Sequence, residues 1–232
     1  MTTTGDHRSR TEAPDAGNWS TGLARWIAGL VPRGQWLPGR QPAYVASWIY
    51  VFGVTTLAAM VVVIGTGILL SVRGANWWHH SAIGHFVNSL HLWSVELFLA
   101  AMTVHLWGKF FMAAWRGRRG MTWFTGVLTF AASIGTAFTG YVMQNNLDSQ
   151  WISTQAKDGL NAVGVGARFN AMNFSQMVLW HVSLLPLVLG VLVVLHLLLV
   201  RRHGVVPPIG ATVPDGSEEP VEMSGTATEE VR

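Results

Sequence analysis

Four stretches of this chain are long and apolar enough to cross a hydrocarbon core of ~30 Å, which takes ~20 apolar residues. Span A runs from about Ala46 to Val72, span B from Val87 to Trp115, span C from Met121 to Met143, and span D from Phe174 to Val200. Such a chain must satisfy its backbone hydrogen bonds internally, which predicts an all-α integral membrane four-helix bundle. Composition agrees with this. Only 12% of the 232 residues are charged while 50% are hydrophobic, and mean hydropathy is +0.34. A soluble domain carries about 25% charged residues.

Three regions follow: a polar segment 1–45, the four-span domain 46–205 and a polar tail 206–232. Within the first, Trp19, Leu23, Trp26, Ile27 and Leu30 recur at helical spacing beside Arg25 and Arg33. That pattern predicts a helix lying in the membrane interface. The tail is rich in Pro, Gly, Glu and Thr and reads as disordered. The pI near 9.8 does not point to nucleic acid, because the cations flank the apolar spans. Twelve of the 15 Lys and Arg residues lie before A, between B and C, or after D, against Arg73, Lys157 and Arg168 in the other two loops. This bias predicts a multi-pass protein of the cell membrane with both termini cytoplasmic. The cytoplasmic end of the bundle is called inner below.

Histidines carry the chemistry. His91 and His105 lie 14 residues apart on B, and His181 and His196 lie 15 apart on D. In straight helices these steps are ~21 and ~22 Å long with net rotations of about −40° and +60°, so each pair shares a face. B and D run in the same direction, so His91 is level with His181 and His105 with His196. Intramembrane histidine is costly unless paired or functional. Two facing imidazoles at two depths predict axial ligation of two b-type haems held between B and D. Zinc fits poorly, since it gathers more than two ligands at one point. With no Cys, the haems would be non-covalent, and iron–sulfur or thiolate sites in this chain are excluded.

Glycines repeat the period: Gly53 and Gly67 on A, and Gly126 and Gly140 on C, are each 14 apart. Removal of the side chain would let a flat macrocycle approach the helix. Two further features are weaker. Glu96 is the only carboxylate inside a span and points away from both histidines, as a helix contact, a partner contact or part of a proton path. His79, His80 and His85 in the A–B loop read as interfacial histidines before a metal site.

The paired His and Gly residues, Tyr141, Pro186 and the tail HLLLVRRHG, with Arg201, Arg202 and Gly204, resemble the N-terminal four-helix domain of cytochrome b, most closely the split form of bf-type complexes. That resemblance implies a low-potential outer haem on His91 and His181, a high-potential inner haem on His105 and His196, and Arg201 as a cofactor-binding residue. It implies an electron-transfer subunit of a respiratory bc-type complex, not an enzyme alone, passing electrons between quinol or quinone and partner subunits. The partners implied are a separate polypeptide with the remaining cytochrome b helices and an iron–sulfur or cytochrome c protein. The alternative function is a dihaem wire joining a dehydrogenase or hydrogenase module to the quinone pool. Where the family carries Arg before the first His of B and of D, this chain has Asn88 and Gln176. Where it carries Pro-Trp-Gly after Gly-Tyr, this chain runs Val142-Met143-Gln144-Asn145-Asn146.

Overall fold

The computed structural model describes residues 48–144 and 146–207. The interfacial helix expected over 19–30 and most of the 206–232 tail lie outside the described residues. Every regular element described is helical. A 3-10 turn at Trp48–Tyr50 leads into α1 (Val51–Arg73), followed by α2 (Ala75–His80) and α3 (Ala82–Phe111). Next come a 3-10 turn at Gly117–Arg119, α4 (Gly120–Val142) and α5 (Leu147–Ala162). Then α6 (Phe174–Leu179), a π turn (Trp180–Leu184) and α7 (Leu185–His203) form one continuous rod. Four helices reach membrane-crossing length and hydropathy: Trp48–Arg73, Ala82–Phe111, Gly117–Val142 and Phe174–His203. These are spans A to D.

Span B lies several residues toward its N-terminus from the expected position. Ser81 caps it, its side chain accepting from the Gly84 amide at 3.1 Å, so the half-polar stretch after it joins the helix. At the other end the chain leaves the helix after Phe111, and Ala113 adopts φ 48°. The loop helices α2 and α5 were not expected, since neither carries an apolar stripe long enough to read. Asn146 starts α5 by accepting from the Ser149 amide at 2.8 Å.

Packing is the reverse of a soluble bundle. Large apolar side chains such as Val54, Phe86 and Leu187 point outward, as lipid contact requires. The inward face of C is a stripe of Thr122, Thr125, Thr129, Ser133 and Thr139, all buried. Thr125, Thr129, Ser133, Thr136 and Thr139 each donate to a carbonyl three or four residues earlier, so no hydroxyl proton on the stripe beyond Thr122 is left unmet. Small residues here bring the backbones close, the usual basis of helix contact in membranes. A packs along B and C packs along D, giving two hairpins side by side. Between the two histidine levels, Ala59, Phe98 and Met102 close the middle with Met60, Leu99 and Phe130 around them.

The rod forming D answers the unequal histidine spacing. In its π turn the Leu185 amide bonds to the Trp180 carbonyl, five residues back, ahead of Pro186, which has no amide to offer. The turn takes up one extra residue and so absorbs a rotation of about 100°. The straight-helix offset expected for D therefore does not hold. The 15-residue step from His181 to His196 covers the same ground as the 14-residue step on B.

Candidate functional site

All four intramembrane histidines turn into the bundle, and each meets one of the four glycines. A Cβ on Gly53 would stand 3.1 Å from Cε1 and Nδ1 of His105, and one on Gly67 would stand 3.2 Å from Cε1 of His91. A Cβ on Gly126 would lie 3.0 Å from Cε1 of His196. One on Gly140 would collide with Cε1 of His181. Histidines of B thus lie against glycines of A, and those of D against glycines of C. The glycines make room for the imidazole edge.

At the outer level the rings of His91 and His181 have centres 6.3 Å apart and planes at 86°. Two metal–nitrogen bonds of about 2.0 Å each would span most of that distance. At the inner level His105 faces Gly53 and His196 faces Gly126.

Hydrogen bonds settle which ring nitrogen carries the proton. Nδ1 of His91 lies 3.1 Å from the Val63 carbonyl and 2.9 Å from Thr66 Oγ1. Nδ1 of His181 lies 2.9 Å from the Thr136 carbonyl and 3.3 Å from Thr139 Oγ1. A carbonyl only accepts, so Nδ1–H donates in both rings, and in the neutral imidazole Nε2 then keeps its lone pair. Nδ1 of His196 sits 3.2 Å from Thr125 Oγ1, whose own proton goes to the Thr122 carbonyl at 3.0 Å, and the same tautomer follows. A neutral imidazole with Nε2 unprotonated and Nδ1–H held by a second group is the form that ligates a metal. Nδ1 of His105 is buried with no partner among the described residues.

Both ends of the bundle carry a recess. At the inner end Arg118, Arg119, Arg202 and His203 line a polar space of about 360 Å³. The Nε of Arg119 is buried there without a partner among the described residues, while Thr122 Oγ1 and His203 Nδ1 lie 3.0 Å apart. Arg201 is exposed at the end of D, and its neighbour Arg202 takes the place in the recess. Toward the outer end an almost wholly apolar space of about 470 Å³ lies between C, α5 and D. It is lined by Phe138, Leu160, Phe169, Trp180 and Leu185, with Thr139 beside His181.

Gln176 does structural work in the place of an arginine. Its Oε1 accepts from the Asn170 amide at 2.7 Å and its Nε2 donates to the Arg168 carbonyl at 2.8 Å, pinning the C–D loop to the start of D. Asn88 is half-buried on B. Glu96 is exposed on the outside of B, away from the histidines. His79, His80 and His85 are exposed, and among the described residues no three metal-ligating side chains gather at one point. The hydroxyls of Thr66, Thr125 and Thr139, and the pair Arg118 and Arg119, escaped the sequence reading. Their one signal was that each of those threonines immediately precedes a glycine of the repeat.

The residues that could hold a flat iron macrocycle at each level are consistent with one. At each level they would offer one imidazole from B and one from D, and at the inner end the Nε of Arg119, buried and without a partner among the described residues, would suit a carboxylate.

A family model described as Cytochrome b(N-terminal)/b6/petB matches residues 96–224. The menaquinol:cytochrome c reductase cytochrome b subunit of Geobacillus thermodenitrificans is 25% identical over 189 residues, covering 72% of this chain and 84% of that one. Cytochrome b6 of Heliobacterium mobile is 26% identical over 192 residues, covering 72% and 89%. The cytochrome bc complex cytochrome b subunit of Chlorobaculum thiosulfatiphilum is 26% identical over 196 residues, but these are only 44% of its length. Among solved structures, a chain of a hyperthermophilic respiratory complex III superposes with a TM-score of 0.69 at 21% identity. The match covers 87% of this chain and 58% of that one, and shows the shared fold.

Proposed function

We propose, for a chain that belongs to the cytochrome b N-terminal/b6 family, that it is the dihaem subunit of a bc-type complex and carries electrons across the membrane between quinol and its redox partners. It is a multi-pass membrane protein and a haem-binding one. The finer reading assigns one b-type haem to His91 and His181 and one to His105 and His196. The observation that carries it is the fourfold repetition of one local arrangement, an intramembrane imidazole edge-on to a glycine, at two matched depths.

Haem at each level supplies a one-electron Fe(III)/Fe(II) couple. The protein's part is to hold each ring in its ligating tautomer, exclude water and fix the spacing. Phe98, Met102 and Ala59 keep the space between the levels dry. Arg119, with Arg118 and Arg202, offers a charge-assisted seat for a propionate at the inner level. Such positive charge also favours the more electron-rich reduced state, so the inner haem is the more oxidising. With haem bound at both levels, electrons would run from the outer to the inner level against a negative cytoplasm, a full crossing costing ~2.3 kcal/mol per 100 mV.

The apolar recess beside Trp180 and Thr139 falls in the size range of small-molecule sites and lies next to His181, which supports quinol oxidation on the outer side. A companion polypeptide would close this recess and supply a proton acceptor, since its lining has none. An iron–sulfur or cytochrome c protein would take the second electron. Acid acetone should extract two haems per chain, and pyridine haemochrome counting should return two. A count of one or none overturns the proposal.

A further inference from the structure

Three of the four repeat glycines follow a threonine: Thr66-Gly67, Thr125-Gly126 and Thr139-Gly140. The fourth follows a phenylalanine, Phe52-Gly53. The three threonines are the residues whose hydroxyls meet Nδ1 of His91, His196 and His181. The histidine facing Gly53 is His105, the one ring among the described residues whose Nδ1 is buried without a partner.

We propose that the Thr-Gly dipeptides are imidazole anchors that orient and strengthen three of the four axial ligands, and that Phe52-Gly53 leaves His105 as the weaker fourth. This rests on the dihaem reading above. The glycine lets the ring edge come down onto the helix, and the hydroxyl beside it receives Nδ1. That hydroxyl cannot donate to the ring, because its proton is spent on the preceding turn. Thr66 donates to the Val62 carbonyl at 2.7 Å, Thr125 to that of Thr122 at 3.0 Å and Thr139 to that of Thr136 at 2.7 Å. Only lone pairs face the imidazole, so Nδ1–H must be the donor and Nε2 is left free to ligate.

On A the inner site is the outer one moved back by 14 residues. Thr66 becomes Phe52, and the Val63 carbonyl becomes that of Ile49, which lies in the 3-10 turn Trp48–Tyr50 before the regular helix begins. Phenylalanine has no hydroxyl to offer, and the Ile49 carbonyl makes no bond to His105 Nδ1. A hydrogen bond from Nδ1–H raises the basicity of a ligating imidazole and so favours ferric iron. An unanchored His105 favours ferrous iron and makes the His105–His196 level the more oxidising, independently of the arginines around it.

The test is a redox titration of membranes carrying the full chain with its partners, read together with the low-spin ferric resonance of each haem. Phe52→Thr is expected to lower the inner midpoint, by up to a tenfold change in ferric over ferrous binding, or about 59 mV for one electron. Thr125→Val is expected to raise the same midpoint, with Thr125→Ser returning it to the parent value, a rescue that mere packing would not give. Should Phe52→Thr fail to accumulate, the Thr125 pair decides. Two haems in every preparation with Thr125→Val and Thr125→Ser alike in midpoint and resonance overturns the anchor assignment. Fewer than two haems in the parent chain overturns the dihaem reading instead.

Discussion

Gly140 stands so close to the ring of His181 that any side chain at that position would meet it, with Nε2 and Nδ1 only 2.9 and 3.0 Å from the site of a Cβ. Gly67 is less tightly placed against His91, at 3.2 Å, and Gly65 has nothing within 4 Å. Overpacking a close contact costs about 1–3 kcal/mol. Gly140→Ala should therefore lower occupancy of the outer haem most, Gly67→Ala less, and Gly65→Ala not at all. Haem-to-protein ratios for the three variants check the order, and equal ratios would contradict it.

The π turn of D makes a sharper demand. Deleting Ser183 from within it should straighten the helix and leave His181 and His196 in phase at 14 residues, with both haems retained. Deleting Gly190, in the regular helix below, should rotate His196 by about 100° relative to His181 and cost the inner haem. Optical spectra of the two deletions distinguish these outcomes. Loss of a haem in both, or in neither, would show that the turn is not what reconciles the spacing.

Gln176 holds the loop at Arg168 and Asn170 by two bonds, each worth about 1 kcal/mol. Gln176→Ala should speed amide exchange over residues 168–173 and leave the inner haem's midpoint unmoved. Unchanged exchange there would mean the loop is held by something else.

Orientation can be read with reporters. An enzyme that works only in the cytoplasm should be active when fused after Arg202, and one that works only outside should be active when inserted near Gly159. The opposite pattern would exchange the names of the two levels.

The helical period made the site legible in the sequence. His91, His105, Gly53 and Gly67 announce their common face by number alone, because about 20 Å of helix converts a 14-residue step into a fixed direction. Span B starts five residues before Val87 because Ser81 caps it there, a local signal that hydropathy does not register. The π turn hides behind Pro186, which marks a break without saying which kind. Thr66, Thr125 and Thr139 act through oxygen-to-nitrogen distances that no periodicity reports. Arg119 was counted as a topological charge, and only its burial sets it apart from Arg118.

The two hairpins have a consequence for how the protein is made. Each level takes one histidine from the A–B hairpin and one from C–D, so the first hairpin to enter the bilayer carries only half of either ligand set. On the dihaem reading, capture of a haem by two imidazoles would wait until D, the fourth span in chain order, is in place. A haem seated across the seam would then act as a rivet between two halves, and cofactor loading would become a late checkpoint of biogenesis.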